Sequence, residues 1–285
     1  MFEVMISWGR MLTIGKILVP VDFSNRCLRM IADAKALAAI YGAELTLLHV
    51  VNPMYSFPAT AISGPAMVPI PESIIVDRQK QLDQFAADEL QGAAVRRFVY
   101  EGEAVDQIAG FVQSENVNLI VMATHGYGML RRFLIGSVTA KVLHDVACPV
   151  FTGVHMDHQD PGAPAFAHVL CAVDLGPQSS AVLSWAGQFA SDCGARLDLV
   201  HAASSAERLD GAATEIAKLQ EAAGIKAGEV YLRDGEPVNA VCAVAKEIDA
   251  DLLVIGRGDR EGLNGMLTTH SYAIIRQSPR PVVSV

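Results

Sequence analysis

Between Leu119 and Val150 the chain reads LIVMATHGYGMLRRFLIGSVTAKVLHDVACPV, and its small and polar residues suit the holding of a phosphate. The apolar run Leu119, Ile120, Val121, Met122, Ala123 turns through Thr124, His125, Gly126, Tyr127 and Gly128. A second small pair, Gly136 and Ser137, precedes a helical pattern at Val138, Val142 and Val146. Glycine lets the backbone approach an anion closely. The free N–H groups and positive dipole end of a helix beginning near Ser137 favour negative charge. The alternative is that these glycines only shape a turn. His125 is either a phosphate donor or a polar loop residue. Arg131 and Arg132 either reach the phosphates or form a solvated helix face.

Other chemistry finds less support. GxxxxGK[ST] is absent, which argues against a standard P-loop ATPase, and no nucleophile elbow occurs. His155, Asp157, His158 and Asp160 have an H-x-x-H spacing, but they lie in a polar linker with no further ligand, so no metal site is expected. The five cysteines (27, 148, 171, 193 and 242) are scattered, which fits reduced, buried thiols in a cytosolic protein. Nothing in the phosphate stretch supplies an obvious general base, so turnover there should be slow or absent and no catalytic residue is assigned.

Alternating strands and helices must position these groups. Lys16 to Asp22 (KILVPVD) is a buried strand ending in a carboxylate. Ser24 or Asn25 caps a helix running to about Tyr41, which Gly42 stops. Glu44 to Val51 is a second strand. A Pro-rich stretch from about Asn52 to Pro71 is long for a compact domain and reads as a functional cover or mobile segment. Glu72 to Leu90 is an amphipathic helix with a charged face, Ala94 to Tyr100 a third strand, and Glu103 to Glu115 a helix. Such alternation implies a parallel sheet with right-handed crossovers.

After a linker the pattern returns. HVLCAVD, ending at Asp174, repeats the first strand; Gln178 to Cys193 repeats the first helix; RLDLVH, ending at His201, echoes Glu44 to His49. Asp234, Gly235 and Glu236 echo Glu101, Gly102 and Glu103, and ADLLVIG echoes the strand before Ala123. The chain is therefore an internal duplication, predicted as an extension over 1–15, a domain over 16–153, a linker over 154–166 and a second domain over 167–285. Met11 is the expected natural start, and intact-mass measurement of the native protein checks this. His49 and His201 end equivalent strands and read as structural, since both copies keep them.

The 285 residues suit about two domains. At 51% hydrophobic and 19% charged, the chain can bury large cores. A net charge of -9 argues against nucleic acid as a partner, and no run is apolar enough to span a membrane.

From about Gly15 onward the chain resembles a tandem universal stress protein. The features are VPVDFS at Val19 to Ser24, LLHVV at Leu47 to Val51, the ACPV ending, and a loop close to G-x2-G-x9-G-[ST]. In that loop nine residues separate Gly126 from Gly136, and Ala123 stands for the first Gly. Any positive φ at Ala123 would be strained.

The resemblance implies two tandem open five-stranded parallel α/β domains with helices on both faces, and a site for ATP, ADP or AMP with Mg2+. Pro20 and Val21 would wall the adenine, Asp22 would meet the adenosine end, and Val50 would offer backbone groups to the adenine edge. Met122, Ala123, Thr124, His125 and Gly126 would line ribose and phosphates. Gly136, Ser137 and Val138 would bind phosphate through N–H groups and the Ser hydroxyl. Family members of this kind often pair through their last strands, implying a homodimer.

In the second copy Gly256 keeps the first Gly, Asp259 replaces the second, and Thr269 and His270 stand where Gly-Ser would be. A carboxylate there repels a phosphate, so weak or no ATP binding is expected of the second domain; alternatively Gly256, Gly258 and Gly262 form a loop for another ligand. The function implied is a cytoplasmic, ATP-binding stress-response regulator with an unidentified protein partner. The alternatives are a slow ATP hydrolase or nucleotide-transfer enzyme, and a nucleotide-independent scaffold whose partner surface is the Pro-rich stretch.

Overall fold

The computed structural model describes residues 12–53, 70–124, 135–153, 166–203, 209–258 and 269–285. Outside the described residues lie His125 and Gly126, Arg131 and Arg132, most of the Pro-rich stretch and linker, Asp259 and Gly262 of the second loop, and the extension before Leu12.

The first half runs β1 (Lys16–Pro20), α1 (Asn25–Tyr41), β2 (Glu44–Val51), α2 (Glu72–Gln84), β3 (Val95–Glu101), α3 (Ala104–Glu115), β4 (Leu119–Met122), α4 (Ser137–Asp145), β5 (Val150–Thr152). The second repeats it: β6 (His168–Ala172), α5 (Ser179–Cys193), β7 (Arg196–Ala203), α6 (Ala212–Ala223), β8 (Val230–Asp234), α7 (Pro237–Glu247), β9 (Leu252–Ile255), α8 (Thr269–Gln277), β10 (Val282–Ser284). Helix α6, the counterpart of α2, was not read from sequence.

Local chemistry sets the element ends. Ser24 caps α1, its hydroxyl accepting from the Cys27 amide, and Gly42 closes the helix in the left-handed region at φ 62. Glu103 caps α3 by accepting from the Val105 and Asp106 amides, and Glu236 caps α7 in the same way. The helix expected to reach Leu90 stops at Gln84, because Phe85 turns extended and Ala86 takes φ 53. The break lets Phe85 pack edge-on against Phe23 at 5.6 Å, while Leu82, Ala86 and Leu90 all stay buried.

Ten described strands form one sheet in the order β3-β2-β1-β4-β5-β10-β9-β6-β7-β8. Every pairing is parallel except that of β5 with β10, which is antiparallel. Each half is thus an open five-stranded parallel sheet, and the last-strand pairing expected between two copies occurs between the halves of one chain. Helices cover both faces over two apolar layers, each drawing on both halves. The duplication extends to single bonds. Asn118 Oδ1 accepts from the Gly15 and Lys16 amides, and Asp251 Oδ2 from those of Ala167 and His168, all at 2.9 Å. Among the described residues no helix is long and apolar enough to cross a membrane.

Two buried charges mark the join. Arg257, just past β9, donates to the carbonyls of Leu143, Val146 and Cys148 in the first half and to Ser284 in β10. Its cation meets the negative end of the α4 dipole. Arg257→Met leaves several buried carbonyls unpaired, and denaturant unfolding should show a loss on the order of 3 kcal/mol.

Asp33 on α1 sits at the position equivalent to Trp185 on α5, where the two helices pack. Asp33 Oδ2 and Trp185 Nε1 are both buried, with no hydrogen-bond partner among the described residues. Burial pushes the Asp33 carboxyl up from 3.8 to about 7. The stability it allows is therefore fully present below about pH 4 and lost as pH rises through about 7. Asp33→Asn should raise the melting temperature at pH 8 and leave it unchanged near pH 4.

Candidate functional site

The strand order of the first half reverses between β1 and β4, and a cleft opens beyond their carboxyl ends. It is a cavity of about 350 Å3. Of the residues singled out from sequence, Pro20, Val21, Asp22, Val50, Met122, Ala123, Gly136, Ser137 and Val138 all line it. Residues from three strand ends and the start of α4 thus meet at one place. Thr124 contributes differently: it is 2% exposed, and its carbonyl accepts the Gly136 amide at 2.7 Å.

That bond also changes the role of Gly136. Its N–H is committed to Thr124, so the donors left for an anion are the first-turn amides of Ser137 and Val138. These have no carbonyl a turn behind them within the helix. Gly136 itself is the N-cap at φ -59 and offers no side chain over the helix start. A second tie is the Thr139 hydroxyl, which donates to the Ala123 carbonyl at 3.0 Å. Ala123 is not among the described residues with positive φ, so replacing the family's Gly there costs no backbone strain.

Asp22 lies at the rim, and its Oδ1 accepts from the Ser24 amide at 2.9 Å. The next residue, Phe23, is held in the left-handed region at φ 62, which turns the chain from β1 toward α1. His49 Nδ1 lies 2.7 Å from the Val21 carbonyl, and His201 Nδ1 lies 2.8 Å from that of Val173. Both histidines therefore clasp the end of the switch strand. Burial holds the His49 imidazole below its usual range, so it is neutral at pH 7.

Sequence reasoning passed over Cys27, Ile108 and Thr139, which also line the cavity. Cys27 follows the Ser24 cap by one turn, and that spacing was the available signal. Burial, aided by the Asp22 charge, pushes its thiol up to about 12, so it is a packing group. No group of three metal-ligating side chains occurs among the described residues.

The second half has the corresponding cavity at about 190 Å3, lined among others by Asp174, Gly256, His270 and Ser271. The Ser271 hydroxyl donates to the Gly256 carbonyl at 2.8 Å, matching Thr139 and Ala123. The partners are 16 residues apart in the first half and 15 in the second, so the second loop is one residue shorter. The sequence register is corrected accordingly: Thr269 takes the place of Ser137, and His270 that of Val138.

The architecture defines a tandem α/β protein with a cleft at the strand-order switch of each half. The universal stress protein family matches residues 13–152 and 165–285, and the chain belongs to that family. It is 29% identical over 268 residues to the universal stress protein Rv2005c of Mycobacterium tuberculosis, covering 86% of this chain and 88% of the relative. The solved universal stress protein of Archaeoglobus fulgidus is 24% identical and superposes with a TM-score of 0.71 over 96% of each chain. The cytoplasmic domain of a prokaryotic cation chloride cotransporter superposes at 0.55 with 11% identity, covering 95% of this chain and 94% of its own. The fold alone therefore does not set a function.

Thr139→Val should cost about 1 kcal/mol in denaturant unfolding by untying α4 from β4. Ser271→Ala should cost a similar amount in the second half. A null effect at either position would show that its hydroxyl bond does not hold the loop.

Proposed function

We propose that the first half binds an adenine nucleotide and that occupancy regulates the protein's interactions. The observation that supports this reading is one cavity at the β1–β4 switch, lined jointly by Asp22 and by the first turn of α4. The phosphates would sit against the Ser137 and Val138 amides, with the Ser137 hydroxyl as a further donor. The base would occupy the apolar end between Pro20, Val21, Met122 and the Val50 backbone. An accompanying Mg2+ would be carried by the phosphates, since no side-chain cluster for a metal is described.

The second half is the weaker site on this reading. Its cavity is about half as large, and an imidazole replaces Val138 at the start of the helix. One universal stress protein has been solved in complex with cAMP. That is a property of that protein, and the reading here rests on this chain's own cavity. We place the protein in the cytoplasm, with a protein partner as the recipient of the signal.

Equilibrium dialysis of the full chain against millimolar ATP with Mg2+ should give one nucleotide per chain. Gly136→Asp should abolish it, because the carboxylate would occupy the anion's place. Aspartate is a good N-cap at this φ, so α4 should stay folded. Absence of binding to the unmodified protein contradicts the reading. Steady phosphate release that disappears in Asp22→Ala would make the protein a slow hydrolase instead.

A further inference from the structure

Among the described residues the sheet has two outer edges, β3 and β8, because β5 and β10 already satisfy each other. The last strands are therefore taken, and a second copy of the chain has to meet the first at another edge.

Backbone bonding fixes which groups of β3 face outward. The Leu45 amide donates to the Ala94 carbonyl, and the Gly102 amide to the Val51 carbonyl. In the parallel register of β2 with β3, the even-numbered residues of β3 thus bond to β2. The amides and carbonyls of Val95, Arg97, Val99 and Glu101 point the other way. Side chains from Val95 to Val99 are partly exposed, and Tyr100 and Glu101 are exposed, whereas β4 is buried throughout. An edge of this kind is a template for a further strand.

The side chains select that strand. An antiparallel partner of the same sequence, centred on Val99, sets Arg97 opposite Glu101 on both sides of the centre. On the other face of the sheet Phe98 then meets Tyr100, again on both sides. A centre at Arg97 would bring two guanidinium groups together, and a centre at Phe98 would set Arg97 against Val99. Arg97 Nε donates to the Leu82 carbonyl at 3.1 Å, which anchors the side chain while its terminal nitrogens remain for a partner.

The other edge lacks this match. Glu101 pairs with Val51 and Asp234 with Ala203, the equivalent residues of β2 and β7, so Val230 stands where β3 has Arg97. No cation then faces Asp234. Arg233 lies over its own Tyr231 ring at 5.3 Å and pairs with Glu247 at 3.0 Å. Strand β8 is also shorter, five residues against seven. A short edge guarded by a charge resists pairing.

We propose that β3 is the docking edge for a second copy of this chain, the two β3 strands joining antiparallel about Val99 into one continuous sheet. The contact is isologous, so it closes as a dimer.

Sedimentation equilibrium of the full chain over a concentration series tests this. The unmodified protein should be dimeric. Glu101→Arg sets like charges opposite Arg97 and should weaken association about tenfold. Arg97→Glu should do the same. An equimolar mixture of the two variants should recover the dimer, because every Arg then faces a Glu. Asp234→Arg, at the matching place on β8, should leave the dimer unchanged. Glu101 and Asp234 are exposed, so both substitutions should leave the circular dichroism spectrum intact. Glu101→Arg carries the test by itself if Arg97→Glu, which gives up the Leu82 bond, fails to fold. A monomeric unmodified protein, a dimer indifferent to Glu101→Arg, a mixture of folded variants that stays monomeric, or a dimer broken by Asp234→Arg would each overturn the proposal.

Discussion

The bond from the Gly136 amide to the Thr124 carbonyl fixes what the first half can do. It closes the segment between β4 and α4, and with the Thr139 hydroxyl on the Ala123 carbonyl it holds the start of α4 over the strand ends. A helix start held there presents its first-turn amides to the cleft, and nothing within the helix can satisfy them. The proposed anion site would thus be a consequence of where a helix begins. Small residues at Ala123 and Gly136 permit the approach without side chains filling the cleft.

The join between the halves works by similar economy. Two parallel sheets each end in a short exposed edge, and such edges invite pairing. Here β5 and β10 satisfy one another, and Arg257 fastens the loop after β9 to the far end of α4. The helix whose first turn faces the cleft is therefore gripped at its last turn by a residue of the other half. In the first half the position of Arg257 is taken by Thr124, the residue that latches Gly136. Equivalent positions have thus diverged, one to close a cleft and the other to fasten the join.

Much of this was legible in the chain. The boundaries of α1 and β2 followed from Ser24, Gly42 and the apolar run between Glu44 and Val51. The duplication followed from the repeated Asp at the strand ends and the repeated Asp-Gly-Glu and Glu-Gly-Glu segments. Of the residues the resemblance implied, nine described ones line the cleft, where parallel strands bring their carboxyl ends together, while His125 and Gly126 lie outside the described residues. What escaped depended on backbone conformation and long-range contact. The break at Phe85 needs a left-handed Ala86, which composition does not announce. The one-residue shortening of the second loop was hidden by matching letters, and only the hydroxyl bonds of Thr139 and Ser271 set the register. The Gly136 amide could be assigned to Thr124 rather than to a ligand only from the folded chain. The burial of Asp33 and the reach of Arg257 across the join depend on contacts that no local pattern encodes.

Amide resonances followed during titration with ATP and Mg2+ test the account most directly. The account requires the largest shifts at Ser137 and Val138, with smaller ones at Val21, Asp22, Met122 and Ala123, while Thr269 to Ser271 stay in place. Shifts concentrated at Thr269 to Ser271, or none at Ser137 and Val138 when ATP is bound, would contradict it.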